Sequence, residues 1–550
     1  MDFQHQTRVS LLNLRTDWVL SLEKQKLALV PLAIGLGLLL YSWFASYPLS
    51  ISFPGDMVFN HISPFYWLGL PLTLSSLFVL GAFSKRSSLK CLTSVFTVIA
   101  IYSLFYFYYS MPTSDSQYFR GLNEYFINTN NLDSSQLNHA YFQWPTFFLI
   151  ANITVTVTGL SLGAFEFILF AVIGSLMAMA IYFYASKPFA NGAFLSVTAF
   201  FFVLFYFLNF QAVPFSLALA LVFVLFALES QEKSNHVTVT LLVIFVAVSL
   251  THAFVGLFFV FYLLVKSIIK RSKQDRELFL LTAIVYLLVQ LGLYWTAFNI
   301  RRTFQLPSEY GGMIQATLNN PISMPLDALA QTVSRVITVT FALLCLIGFV
   351  LLLTRRRLRA IDAAIFISAV GYLALGFVIY SMGARALPIL FIPFSLGVAC
   401  LFETKFKKHL RVLFLCLLIL FVFIPIHFSH STYYGEVVPF AAEETSIAKN
   451  FLLHYYDWSA PGQILLHSPV SVYFMSVMDL SIVNTTLLDE YSSNISRIEE
   501  FDCVFYTIGL GNSFLARNIT LERVVYEERL NMAYDNGFSS IITSSNSPIE

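Results

Sequence analysis

The sequence predicts an α-helical polytopic membrane protein of about thirteen transmembrane helices, with a small C-terminal α/β domain outside the membrane. Three observations predict it. Of 550 residues, 57% are hydrophobic and 11% charged, at a mean hydropathy of +0.72, whereas soluble domains are about 25% charged. Apolar runs long enough for a bilayer, which needs about 20 residues, recur from residue 27 to residue 428. Lys and Arg then fall on alternate loops. The net charge of +1 gives no field that would attract nucleic acid, and the 57 Phe and 28 Tyr suit lipid-facing and interfacial surface.

The expected spans are roughly 27–48, 64–83, 91–111, 162–186, 190–208, 212–229, 237–250, 253–269, 277–297, 331–353, 361–380, 384–402 and 412–428. The first run has no small-residue cleavage site, so it reads as a span rather than a signal peptide. The pair 237–250 and 253–269 is short enough to be re-entrant. The run 145–160, "PTFFLIANITVTVTGL", is too short and polar to cross and reads as a membrane-dipping or interfacial segment. With the N-terminus inside, 22 of the 32 basic residues are cytoplasmic, in clusters such as Lys85 and Arg86, Lys270 to Arg276 and Arg355 to Arg359. Five lie in the tail beyond 428. The other five, Arg120, Arg301, Arg302, Arg335 and Arg385, fall on or near the outer side.

Residues 1–428 thus form the membrane domain, and 429–550 have soluble composition. In the tail, "QILLH" and "CVFYTIGL" read as strands, "YDNGF" as a hairpin turn, and 443–455 as helical. About 120 residues suffice for a core. Sequons at Asn484, Asn494 and Asn518 fit an exposed location. Of the five cysteines, only Cys503 lies in a polar region, so there is no disulfide framework. No internal repeat, zinc-ligand spacing or phosphate-binding glycine loop is visible.

Two outer loops are long enough to build a site. In 112–145, Ser114 and Asp115 can cap a helix through "QYFRGLNEYFIN". Tyr118, Leu122, Tyr125 and Phe126 share one face, so this helix is expected to lie on the membrane. Asp115 would then sit at the boundary near a helix N-terminus, whose dipole favours the ionised carboxylate. There it could take a proton from an acceptor hydroxyl; the plainer reading is an N-cap alone. Arg120 could pair with Glu124 one turn on. In 298–330, Arg301 and Arg302 either grip phosphate or snorkel to headgroups.

Single polar intrusions complete the set. Arg385 opens a span at its outer end, where a charge usually has a partner, and Arg335 is similar. Glu166, in "GAFEFILF", could be a site residue or simply pair with an arginine. His252, in "SLTHAFVG", could be a site residue or make an interhelical hydrogen bond. Asp56, in "SFPGDMVFNH", is the rival outer acid, though Pro-Gly-Asp reads first as a turn.

The order of these parts resembles the GT-C superfamily of integral-membrane glycosyltransferases, which use polyprenyl-phosphate-linked sugars. The parts are Asp115, "QYFRGLNEYFINTN", "AYFQWPTFFLI", the "TGLSLGAFEF" turn, "FYFLNFQAVPFSLALALVFVLFAL", the Thr-His hairpin "LTHAFVGLFFVFYLL" and "GARALPILFIPFSLGVACLF". "FPGDMVFNHISPFYWLGL" and "RLNMAYDNGFSSII" resemble segments of archaeal members. The similarity runs through most of 50–428. It implies transfer of a sugar from a polyprenyl-phosphate donor to a glycan, lipid or protein acceptor on the extracytoplasmic face, inverting the anomeric centre. Asp115 would be general base and Arg385, with Arg301 or Arg302, would hold the phosphate. Arg335, Arg120, His252 and Glu166 complete the substrate-binding set. The sequence departs from the family in two ways. The acidic loop follows the third span rather than the first. Asp115 has serines on both sides instead of a second acid, so no cofactor is implied with certainty and a divalent cation stays open. Two other classes remain: a transporter or flippase of lipid-linked glycans, which should show inverted repeats, and a noncatalytic scaffold with the same frame.

Overall fold

The computed structural model describes residues 28–47, 62–84, 86–107, 114–129, 144–190, 192–207, 212–231, 234–294, 343, 345–355, 357–375 and 380–403, and four strands between 464 and 543. Helix α1 is Ala28–Ser46, α2 Pro64–Phe83 and α3 Ser87–Ile101; a 3-10 turn, Ser103–Phe107, follows. Helix α4 is Ser114–Thr129, α5 Thr146–Thr158, α6 Leu162–Ser186, α7 Ala193–Phe207 and α8 Pro214–Glu229. Helix α9 is Asn235–Thr251, α10 Ala253–Lys270 and α11 Lys273–Tyr294; α12 is Cys345–Thr354, α13 Ala360–Leu375 and α14 Tyr380–Glu403.

Helices α1, α2, α6 and α10 are each long and apolar enough to cross a membrane. Large apolar side chains point outward along the bundle: Phe44 on α1, Val243 on α9, Leu287 and Leu288 on α11. In water such surface would be a liability; in a bilayer it meets solvent of its own kind. The chain is a multi-pass helical membrane protein. The expected span 91–111 is corrected: the α-helix stops at Ile101, and the backbone tightens into the 3-10 turn. Tyr66 stabilises that turn, its hydroxyl lying 3.0 Å from Ser103 Oγ and its ring edge-on to Phe107. The expected span 412–428 and most of 331–353 lie outside the described residues.

The short helix α5 agrees with a segment that dips without crossing. Thirteen residues rise about 20 Å, short of a hydrocarbon core of about 30 Å. Gly159 ends it at φ 69°, a left-handed conformation that other residues reach only with strain. Ser161 then starts α6, its hydroxyl accepting from Ala164 N at 3.2 Å. This turn joins α5 to α6 within three residues.

Neighbours α13 and α14, α8 and α9, α2 and α3, and α10 and α11 pack pairwise, and α6 packs on both α3 and α8. Their buried apolar side chains form one continuous core. Where α12 crosses α14, backbones nearly touch: a Cβ built on Gly348 would fall 2.4 Å from the Gly397 carbonyl. Without a hydrophobic drive between helices in lipid, such close packing holds them together.

Beyond the bundle, β1 Ile464–Leu466, β2 Cys503–Thr507, β3 Asn531–Asp535 and β4 Ser539–Thr543 form one sheet in the order β1-β2-β4-β3. Strands β1 and β2 are parallel, the other pairs antiparallel. "QILLH" and "CVFYTIGL" thus contain strands, and "YDNGF" joins β3 to β4. A bulge between Met532 and Tyr534 shifts that register. The parallel pair requires a crossover; its residues, and the expected helix at 443–455, lie outside the described set.

Candidate functional site

Helix α4 places the acidic loop. It starts at Ser114, so Asp115 occupies its first turn rather than the residue before it, still where the dipole favours an anion. The face of α4 expected to lie on the membrane packs in part on the protein itself. Phe119, Leu122, Asn123 and Phe126 are buried. Phe119 meets Phe147 and Phe148 of α5, with ring centroids 6.0 and 6.4 Å away. Phe119, Leu122 and Phe126, at helical spacing, make an apolar face that a packed partner covers better than a lipid surface can. Of Tyr118 and Tyr125, only the backbone is described.

Arg120 and Glu166 come together beneath α4. The Arg120 Nε donates to Glu124 Oε1 at 3.2 Å, the expected pair one turn on. Its Nη1 lies 3.9 Å from Glu166 Oε2. Glu166 is one turn into α6 and 2% exposed. Its Oε2 has no hydrogen bond, and neither does Asn123 Oδ1. At 3.9 Å an ion pair gains on the order of 4 kcal/mol in a medium of effective dielectric 20. Burial costs several kcal/mol per ion. As an ion pair the contact is close to balance, but deleting one partner would take the compensating charge from the other, which is the strongly destabilising case.

His252 occupies the break between α9 and α10, with extended backbone (φ −161°, ψ 110°). Its imidazole stacks on Trp144 at 6.0 Å and 15° between planes. Phe215, at the start of α8, approaches edge-on at 5.7 Å. Trp144 Nε1 donates to Gln290 Oε1 at 3.4 Å, and Gln290 Nε2 donates to Ser249 O at 3.1 Å. Trp144, in "AYFQWPTFFLI", thereby ties the start of α5 to the α9–α10 break and to the end of α11. The break is a ring-lined junction.

The same end of the bundle receives Arg385. Tyr372, near the end of α13, donates to Phe254 O beside His252 at 2.7 Å. Helix α14 returns alongside α13, so Arg385, in its second turn, is at this end; for Asp115 and Arg385 the backbone alone is described. The elements that carry Asp115, Arg120, Glu166, His252 and Arg385 thus have these positions toward the same end of the helices, and of the five only Arg120 and Glu166 come within contact distance among the described side chains. Arg301, Arg302, Arg335 and Asp56 lie outside the described residues. Among the described residues no three of His, Cys, Asp and Glu converge as metal ligands.

Sequence reasoning passed over the charge layer at the opposite end. There Lys266 Nζ bonds Glu229 Oε2 and lies 2.9 Å from Asp275 Oδ1, all three side chains at most 3% exposed. Nearby, Arg359 donates Nη2 and Nε to the two oxygens of Asp362 at 2.9 and 3.0 Å. The Tyr184 hydroxyl donates to the same carboxylate, and the guanidinium carbon is 4.5 Å above the Tyr184 ring. The available signal was three acids, Glu229, Asp275 and Asp362, at span ends among basic residues.

No family model matches the chain, and no curated protein does. Among solved structures the chain is similar to ArnT from Cupriavidus metallidurans in the apo state, at a TM-score of 0.43 and 10% identity, over 78% of this chain and 93% of that one.

Proposed function

We propose that this protein is a membrane glycosyltransferase that moves a sugar from a polyprenyl-phosphate donor to an acceptor hydroxyl on the extracytoplasmic face. The observation that supports the reading is that an acid in the first turn of α4 and an arginine near the start of α14 fall toward the same end of an outward-apolar bundle. Donor lipid approaches such an end from the bilayer and acceptor from water. The order of segments resembling the GT-C superfamily supports the same reading.

In this mechanism the Asp115 carboxylate accepts the proton of the acceptor O–H. The acceptor oxygen bonds to the anomeric carbon as the bond from that carbon to the phosphate oxygen breaks. The polyprenyl phosphate leaves with the electron pair, and attack opposite the leaving group inverts the centre. A planar guanidinium at Arg385 suits phosphate oxygens, and Arg301 or Arg302 would share the charge. Arg120, already beside two carboxylates, serves better beneath α4 than on phosphate. The segment 429–550 is read as an extracytoplasmic α/β domain with the sheet as its centre.

The test incubates the purified full chain in lipid with radiolabelled polyprenyl-phosphate sugars of several kinds. Asp115→Asn should lower turnover by ~10²–10⁴-fold while donor still binds. Full transfer by Asp115→Asn, with loss in Asp56→Asn, would place the base in the other loop.

A further inference from the structure

We propose that Glu166 is a positioning residue: acting through Arg120, it sets how deeply α4 docks on the bundle. The proposal rests on the transferase reading only for its consequence in catalysis. Its structural half stands alone.

Three observations carry it. The Glu166 carboxylate is buried, yet Oε2 has no hydrogen bond. The guanidinium facing it is hydrogen-bonded to Glu124 of its own helix and stands off Glu166 at 3.9 Å. Asn123, three residues along the same face of α4, also buries an acceptor oxygen without a hydrogen bond. A charge-assisted N–H···O bond closes to about 2.7–2.9 Å. An approach of roughly 1 Å would turn the ion contact into that bond. Buried unmade polar contacts are costly, so the α4–α6 interface favours such an approach.

Helix α4 carries the effect to the acid. Asp115 is five residues before Arg120 on one continuous helix, about 7.5 Å along its axis. A rigid shift at Arg120 therefore displaces Asp115 by a similar amount. Misplacement of a reacting group by 1 Å costs on the order of 10²-fold in rate. The Phe119 contacts with α5 hold α4 laterally, and the carboxylate below it sets the depth.

The experiment compares the full chain with Glu166→Gln, which keeps size and removes charge, and with Arg120→Lys, which keeps charge and removes the planar fork. Amide hydrogen exchange in lipid nanodiscs is read along α4 and along α6 to α10, with no substrate present. The expected result is exchange at least tenfold faster across α4 in both variants, with the other helices unchanged. With an active donor, kcat should fall about 10²-fold at unchanged donor KM. Unaltered α4 exchange overturns the proposal. So does faster exchange throughout the bundle, which marks Glu166 as part of general stability. If the wild-type chain transfers no sugar from any donor, the transferase reading fails, and the exchange result still decides the role of Glu166.

Discussion

Removing the Lys266 ammonium should damage this protein more than removing either acid beside it. Lys266 on α10 is 1% exposed and faces Glu229 at the end of α8 and Asp275 in the first turn of α11. Three helices thus meet at one cation. In Lys266→Met the linear shape persists, but two buried carboxylates face each other with that cation gone. Breaking a buried pair by deleting one partner costs roughly 3–5 kcal/mol, and here one deletion takes the shared cation from two acids. Glu229→Gln leaves Lys266 and Asp275 as a pair at 2.9 Å and should cost only about 1.5–3 kcal/mol, the range of a hydrogen bond to a charged group. The triple variant Glu229→Gln, Lys266→Met, Asp275→Asn removes every ion of the set. It should regain much of the loss, since uncharged replacements of buried ion clusters are often neutral or stabilising. Reversible denaturation of the full chain in mixed micelles, followed by the fluorescence of its six tryptophans, gives the three values. The reasoning is refuted if Lys266→Met costs less than Glu229→Gln, or if the triple variant is worse than Lys266→Met.

Other outcomes follow from single positions. Arg385→Lys should weaken donor binding, because a point charge replaces a planar fork, and Arg385→Ala should weaken it further; unchanged affinity in Arg385→Ala would assign this residue to packing. Gly348→Val should lower stability by at least ~1–3 kcal/mol, the usual cost of overpacking, because its Cβ would fall 2.4 Å from the Gly397 backbone. Gly37→Ala, with nothing within 4 Å of its Cβ, should be neutral in the same denaturation assay. A cysteine introduced near residue 495 should react with an impermeant reagent in intact cells, and one near 357 only after permeabilisation. The reverse pattern would invert the proposed topology.

Helix positions were legible because each span must satisfy its backbone internally. The bilayer therefore imposes one length and one composition on each. The first run and the runs at 64–83 and 162–186 needed no tertiary context, and the helices Ala28–Ser46, Pro64–Phe83 and Leu162–Ser186 follow them closely; the run 253–269, which the sequence left open as re-entrant, forms Ala253–Lys270, long and apolar enough to cross. The run from 91 misled because apolarity persists past Ile101 while the backbone changes from α to 3-10; composition does not register that change. In the tail, short alternating strands and "YDNGF" were legible as local signals, and their order in the sheet was not.

The candidate site divides the same way. The sequence by itself determined that an acid, an arginine and a Thr-His break interrupt apolar runs, because a polar residue there is costly enough to stand out. It also determined the Arg120–Glu124 pair, a neighbour relation fixed by the pitch of one helix. Only the tertiary structure decided that Glu166 faces that arginine from another helix, that Trp144 stacks on His252 across more than a hundred residues of chain, and that Lys266 serves two acids at once. Those contacts depend on how helices rotate and cross. Side-chain volumes and small residues such as Gly348 and Gly397 set that rotation through close packing, and no period in a single segment records it.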